Sequence, residues 1–397
     1  MVMRQRALNL QYAAAQGLYW MGFCLCVSFA AVYMQGKGYS NSVLGAVLAA
    51  GNLLGFALAP VLASAVDKTG RRGLFACIML MLLLELVLQG VLAIAPGRGV
   101  LMSAGYCLYV AFVNAAGPLI TQLAAALEQD GVYINFGVGR GVGSLAYSAC
   151  AMLMGHIIEA GSADALRMAA ALVALCQLAL TLALGAQLRR SVPSESGGAE
   201  GQAKGLAAFV RDNVRFCALM LGTMFLYLAH NLVTSFLINV VRNVGGGTAD
   251  MGGVTAFMAF AELPTLFLYD RICRRFGCPA TVRFASVMFV VKALAIALAD
   301  SVAALYAAHA LQCLSYAMMT AASVRFVTLY VAPQDAAKGQ AVGFGMTTLS
   351  SVFAGLFGGA MYDAMSVRAV LLITVGVAAV GAAVCIVYSR PKKVRQK

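Results

Sequence analysis

Four ionisable side chains lie inside stretches that are otherwise apolar: Glu85, Arg140, Glu262 and Lys292. Charges in such surroundings are costly, and in a membrane they mark solute pathways or proton relays. Polar companions share these stretches: Asn114, Thr121 and Gln122, then His230 and Asn231, then His309 and Gln312. Two acids and two bases, divided between the halves of the chain, suit pairing across a polar cavity, which lowers the burial cost of each. Glu262 precedes Pro264, and a proline inside a helix frees a backbone carbonyl. Arg140, Glu85, Glu262 and His309 also have plainer readings. Arg140 lies near enough to a helix end to snorkel to the interface. Glu85 stands one helical turn before Gln89, which can bond it. Glu262 can serve as a protonated acid that satisfies the proline break, and His309 as a satisfied core histidine.

Motifs for soluble chemistry are missing. There is no Gly-x-Ser-x-Gly, no His-Glu-x-x-His and no Gly-x-x-x-x-Gly-Lys. The alternating glycines 137, 139, 141 and 143 follow no strand, so they do not read as a phosphate loop. The eleven cysteines are scattered through apolar runs without a CxxC pair and read as small buried hydrophobes. An enzyme, a metal site and a cofactor are therefore not expected.

The elements that must position these groups are membrane helices. Of 397 residues, 62% are hydrophobic and 11% charged, with mean hydropathy +0.85, well beyond soluble proteins. A span takes roughly 20 apolar residues. Apolar runs and polar breaks place twelve of them, at 8–34, 41–66, 73–95, 99–127, 133–159, 164–188, 212–241, 250–270, 279–299, 302–331, 337–363 and 367–389. The fold class expected is an all-α polytopic membrane protein of two pseudo-symmetric six-helix halves. The first bundle covers 1–188, a flexible Gly/Ser-rich linker 189–211, and the second bundle with a short basic tail 212–397. Arg4 and Arg6 precede a long apolar run without a clear cleavage site, which reads as a first span. The Gly51/Gly55, Gly139/Gly143 and Gly355/Gly359 pairs mark close helix approaches.

The net charge of +13 does not indicate nucleic acid, because it is segregated. With the N-terminus inside, Arg4, Arg6, Lys68, Arg71, Arg72, Arg189, Arg190, Lys204, Arg211, Arg215, Arg271, Arg274, Arg275, Arg283, Lys338 and the tail 390–397 face the cytoplasm. Only Lys37, Arg98, Arg167, Arg242 and Arg368 face out. This bias puts both termini in the cytoplasm and the protein in the cytoplasmic (inner) membrane.

Two short turns repeat half a chain apart: Asp67-Lys68-Thr69-Gly70-Arg71-Arg72, and Asp270-Arg271-Ile272-Cys273-Arg274-Arg275-Phe276-Gly277. The first resembles the loop signature of the major facilitator superfamily. Further stretches resemble its lactose permease-like group, which includes oligosaccharide:proton symporters and phenylpropionate permease-like proteins. These are Asn114-Ala115-Ala116-Gly117-Pro118, Phe136 to Leu145, Ala261-Glu262-Leu263-Pro264, His309-Ala310-Leu311-Gln312 and Gly358 to Asp363. The resemblance implies a major facilitator fold and proton-coupled symport of a small organic solute by alternating access. It puts Arg140, Tyr147 and Glu262 in the solute site and His309 and Lys292 in proton handling. Asn114 and Asn231 join the solute site as polar neighbours, and Glu85 joins the proton-coupling set as an intramembrane acid. Asp67, Gly70, Arg71, Asp270 and Arg274 form the conformational switch, with Asp67–Arg71 and Asp270–Arg274 bracing helix ends. The chain departs from the group at three acids, replaced by Thr121, Asn231 and Gln312, so lactose is not the expected solute. The coupling acid is then Glu262 or Glu85. The partners implied are a small-molecule solute, protons and the lipid bilayer, with a monomeric protein and no nucleic acid. Proton-antiport export of an amphipathic compound and a non-transporting solute sensor are the alternatives.

Overall fold

The structure is a computed structural model and describes residues 2–95, 97–128, 132–188, 206–332 and 335–389. Arg189, Arg190, Lys204, most of the expected linker and the basic tail 390–397 lie outside the described residues.

Helix α1 (Val2–Phe23) runs through a π turn at Cys24–Ser28 and bends by 46° into α2 (Ala30–Gly36). Helix α3 (Asn41–Ile94) is 54 residues long, too long for one crossing, and is broken at Gly70, where φ is 61° and ψ is −146°. Then come α4 (Val100–Glu128), α5 (Phe136–Ala160), α6 (Ala165–Leu188) and the short α7 (Leu206–Asp212). Helices α8 (Val214–Thr234) and α9 (Leu237–Asn243) are two parts of one apolar segment. They are followed by α10 (Thr248–Phe276), α11 (Cys278–Leu298), and a second divided segment, α12 (Val302–Ala310) and α13 (Tyr316–Tyr330). Helix α14 (Ala336–Phe353) passes through a π turn at Ala354–Gly358 into α15 (Gly359–Ala364), and α16 (Val367–Tyr388) closes the described chain.

Nine helices among the described residues are long and apolar enough to cross a membrane, and the bent α1–α2 pair makes a tenth. Dividing α3 at Gly70 and joining α12 to α13 bring this to the twelve expected spans. The all-α polytopic fold read from the apolar runs is borne out. Four of the spans are not the continuous helices expected: two contain π turns and two are interrupted, at 235–236 and 311–315.

Helices group into two compact units, Met1–Ala199 with Thr248–Ala259, and Glu200–Gly247 with Phe260–Lys397. In the first unit, the start of α10 packs on the end of α5. The Ala249 amide donates to the Glu159 carboxylate, and a Cβ at Gly252 would fall 2.4 Å from the Ala151 carbonyl. A Cβ at Gly51 or Gly55 would likewise strike α4, at 2.7 Å from Val110 and 2.9 Å from the Ala111 carbonyl, so the pair does mark a close approach. Lys37 pairs with Asp164 at 2.9 Å and holds its carboxyl below the usual range, tying the end of α2 to the start of α6. In the second unit the core gathers around Phe209, Phe216 and Phe326. Phe209 sits edge-on to Phe216 at 6.2 Å, so the final residues of the expected linker are a packed helix rather than free chain.

Leu83, Val87, Leu172, Phe267 and Val387 are exposed on the outer faces. An apolar exterior around helices that satisfy their own backbone is what a bilayer requires.

The motif glycine has a conformational role. The Gly70 dihedrals lie in a region that only glycine enters without strain of about 1–3 kcal/mol. Gly277 ends α10 at φ 79°, so both repeated turns use a positive-φ glycine. Gly70→Ala is expected to lower the melting temperature of the purified protein by several degrees. Gly90→Ala, where a Cβ meets nothing within 4 Å, should leave it unchanged; equal melting of the two variants would remove the backbone argument.

Candidate functional site

In the second unit, four helical segments deliver one continuous polar chain. Helix α11 contributes Lys292, 4% exposed, and the interruption between α12 and α13 contributes Gln312, 2% exposed. The Lys292 ammonium donates to Gln312 Oε1 in a very short contact. Gln312 Nε2 donates to Glu262 Oε1 at 2.8 Å, from α10. Lys292 Nζ also lies 3.4 Å from His230 Nδ1, on α8. An ammonium only donates, so Nδ1 is the unprotonated nitrogen in this arrangement.

The backbone is shaped to allow this. Residues 311–315 form turns, with Gln312 N bonding the His309 carbonyl and Ala317 N reaching back to the Gln312 carbonyl. Thr265 Oγ1, one turn after Glu262, donates to the Cys313 carbonyl at 2.8 Å and so inserts a side chain from α10 into the break. Broken helices with redirected carbonyls are how membrane transporters build polar sites within hydrocarbon.

The chemistry follows from the order of groups. Gln312 is oriented by its neighbours, oxygen toward the cation and NH2 toward the acid. The amide thus separates a carboxylate from an ammonium while bonding both. Glu262 is the half-buried end and Lys292 the buried end. A proton arriving at Glu262 neutralises it and leaves Lys292 without its counter-charge. A buried cation that loses its counter-charge is left uncompensated, which links protonation to the arrangement of the site.

The chain continues through rings. His230 packs on Tyr316 with centroids 4.4 Å apart, and Tyr316 lies 5.5 Å from Tyr227. Tyr227 also walls a cavity shared with Thr223, Ser323, Gln340 and Thr347 and with the thioethers of Met220 and Met224. The space open to the centre of a water-sized sphere there is about 170 Å³, and among the described residues no charged side chain lines it.

In the first unit, the Arg140 guanidinium carbon lies 4.0 Å from the Trp20 ring centroid, and Nη1 donates to Ser144 Oγ at 2.7 Å. The glycines of this motif seat aromatic rings. A Cβ at Gly139 or Gly143 would come within 2.5 Å of Tyr12 or Trp20, so both allow α1 to lie against α5. Tyr147, expected to stack on a solute, has its hydroxyl 2.7 Å from Ser28 Oγ in the π turn. Asn114 donates to Asn52 Oδ1 and to the Val110 carbonyl. In the second unit, Asn231 donates to Ser350 and Ser351. Glu85 is buried and is not bonded to Gln89, whose amide atoms both lack partners.

Two placements differ from the sequence reading. His309, expected in the coupling site, is wholly buried with neither ring nitrogen hydrogen-bonded, while His230 meets the lysine. The turn that begins after His309 carries Gln312, not the imidazole, to the lysine. Asp270 pairs with Arg325 of α13, a residue not singled out from sequence, rather than with Arg274, which is exposed. Arg325 sits in an apolar run near the end of a span, and its charge was the available signal. Asp67 is exposed and makes no ion pair among the described residues, and Arg71 is half-buried.

Two outcomes are expected. Lys292→Met alone should lower thermal stability more than Lys292→Met combined with Glu262→Gln, with a coupling of about 0.5–3 kcal/mol. Additive effects in that cycle would dissolve the chain as an energetic unit. Trp20 is the sole tryptophan, so its emission reports the cation above it. Arg140→Ala should change that emission, and an unchanged spectrum would contradict the contact.

Comparisons with known proteins accord with this geometry. The family model described as "MFS_1 like family" matches residues 12–373. No curated protein matches the sequence. Among solved structures, a mutant form of the nucleoside transporter NupG superposes with TM-score 0.82 at 16% identity, covering 96% of this chain and 99% of that one. A bacterial homologue of the human lysosomal transporter Spinster gives 0.68 at 15% identity, covering 97% of each chain. The POT family transporter PepTSo gives 0.73 at 12%, covering 97% of this chain and 98% of that one. At these identities the structures establish a shared fold, while the family match spans nearly the whole sequence. The chain belongs to the MFS_1 like family and is a membrane transporter of the major facilitator type, not an enzyme.

Proposed function

We propose that this protein is a proton-coupled symporter that moves a small organic solute across the cytoplasmic membrane by alternating access. The observation that carries the reading is the Glu262–Gln312–Lys292 chain, a half-buried acid whose charge balances a buried ammonium through one amide. Proton loading at Glu262 upsets that balance. The site then relaxes by exchanging partners or exposure, which is the event a coupled carrier requires. The motifs around Arg140, Glu262 and His309 support placement near the lactose permease-like group. The segregation of Lys and Arg supports cytoplasmic termini. The Asp67/Gly70/Arg71 and Asp270/Arg274 turns are the proposed conformational switch, with Arg325 added to the second.

The solute class favoured is uncharged and amphipathic. Hydroxyls, an amide and thioethers line the cavity beside Tyr227 without a charge to match an ionised solute. A nucleoside has these properties, and the fold match to a nucleoside transporter makes nucleosides the first compounds to test. Glu262→Gln, which mimics the protonated acid, should abolish proton-driven accumulation in proteoliposomes while leaving solute exchange measurable. Uphill accumulation that survives Glu262→Gln and disappears in Glu85→Gln would move coupling out of the second unit.

A further inference from the structure

Glu85 has no part in the chain just described. It projects from α3 into the interior of the first unit, is 8% exposed, and makes no hydrogen bond or ion pair among the described residues. It lines a small cavity with Tyr19 of α1, Tyr109 of α4 and Gln177 of α6. The space open to the centre of a water-sized sphere is about 20 Å³, enough for one such species. Gln177 is 3% exposed, and neither its amide oxygen nor its nitrogen has a partner. The remaining wall is apolar, including Ile78, Leu82 and Val113, and among the described residues no Lys, Arg or His contributes to it. An ionised carboxylate in this position is uncompensated, a cost of several kcal/mol, and an unpaired buried amide adds more.

We propose that the first unit holds a single-occupancy site for a monovalent cation, either sodium or a proton, formed by Glu85 and Gln177. One carboxylate balances one positive charge, and the cavity admits one small occupant. A sodium ion takes oxygen ligands, as hard cations do, and the carboxylate, the Gln177 amide oxygen and the phenols of Tyr19 and Tyr109 are the oxygens available. A proton meets the same charge requirement by making Glu85 a neutral acid, with one water bridging it to Gln177. The titratable groups facing Glu85 are those two phenols, with the Cys26 thiol beside Tyr109. The α6 face brings none. The site differs from Glu262 in its unit, its helices and its lack of a basic partner.

The test is thermal unfolding of the purified full-length protein with sodium chloride or N-methylglucamine chloride at equal ionic strength, in mildly acidic and mildly alkaline buffer. For sodium, the melting temperature should rise with its concentration, as expected of an ion that binds only the native state. That rise should be absent in Glu85→Gln and should survive in Glu262→Gln. Gln177→Leu keeps the carboxyl and should raise the half-saturating sodium concentration about tenfold, the loss of one ligand to a charge. It tests the site even where Glu85→Gln does not fold. For the proton, stability should increase on acidification without sodium, and both Glu85→Gln and Gln177→Leu should diminish that increment. Identical sodium and acid responses in the wild type and both variants would overturn the proposal, as would a response lost in Glu262→Gln but retained in Glu85→Gln.

Discussion

A single ammonium buried among helices sets the terms for the second unit. Lys292 cannot stay charged at 4% exposure without acceptors, and an isolated ion there costs several kcal/mol. Its surroundings answer that demand. The span carrying Gln312 gives up five residues of helix so that an amide can reach the ammonium, and α10 sends Thr265 to bond a carbonyl released by the break. Pro264 in α10 frees a further carbonyl near Glu262. These departures from regular helix fall around the same charge. The irregular backbone and the buried charge thus lie together, joined by hydrogen bonds from two helices.

The two units handle charge differently despite their matched turns. In the first, Arg140 rests its cation on an indole face and a hydroxyl, contacts that lower its burial cost. Glu85 has no basic partner among the described residues. In the second, acid and base are joined. The turns diverge in the same way, since Asp270 has acquired Arg325 as a partner while Asp67 remains at the surface. Their shared feature is the positive-φ glycine, a requirement of the backbone rather than of charge.

Much of this was legible in the residues. Apolar runs separated by charged turns locate the twelve crossings because hydrocarbon thickness fixes their length. Glu85, Arg140, Glu262 and Lys292 stood out because charge inside such runs is rare. The break at 311–315 was not legible, because Leu311-Gln312-Cys313-Leu314-Ser315 contains neither proline nor glycine. A hydroxyl on another helix, 48 residues earlier, bonds a carbonyl within it. For the same reason Gln312 read as the loss of an acid, when its two ends join an acid to a base. That His230 rather than His309 meets the lysine is likewise a tertiary outcome, which no local propensity encodes.

Gln312 has a consequence for energy conservation. A side-chain amide neither gains nor releases a proton in the biological range, so it transmits polarity between Glu262 and Lys292 but not protons. A membrane that stores a proton gradient is discharged by any unbroken row of titratable groups spanning it. Placing an amide between the acid and the lysine interrupts such a row where it would otherwise run deepest into the bundle. An amide in this place lets the acid sense the cation while adding no titratable group between them.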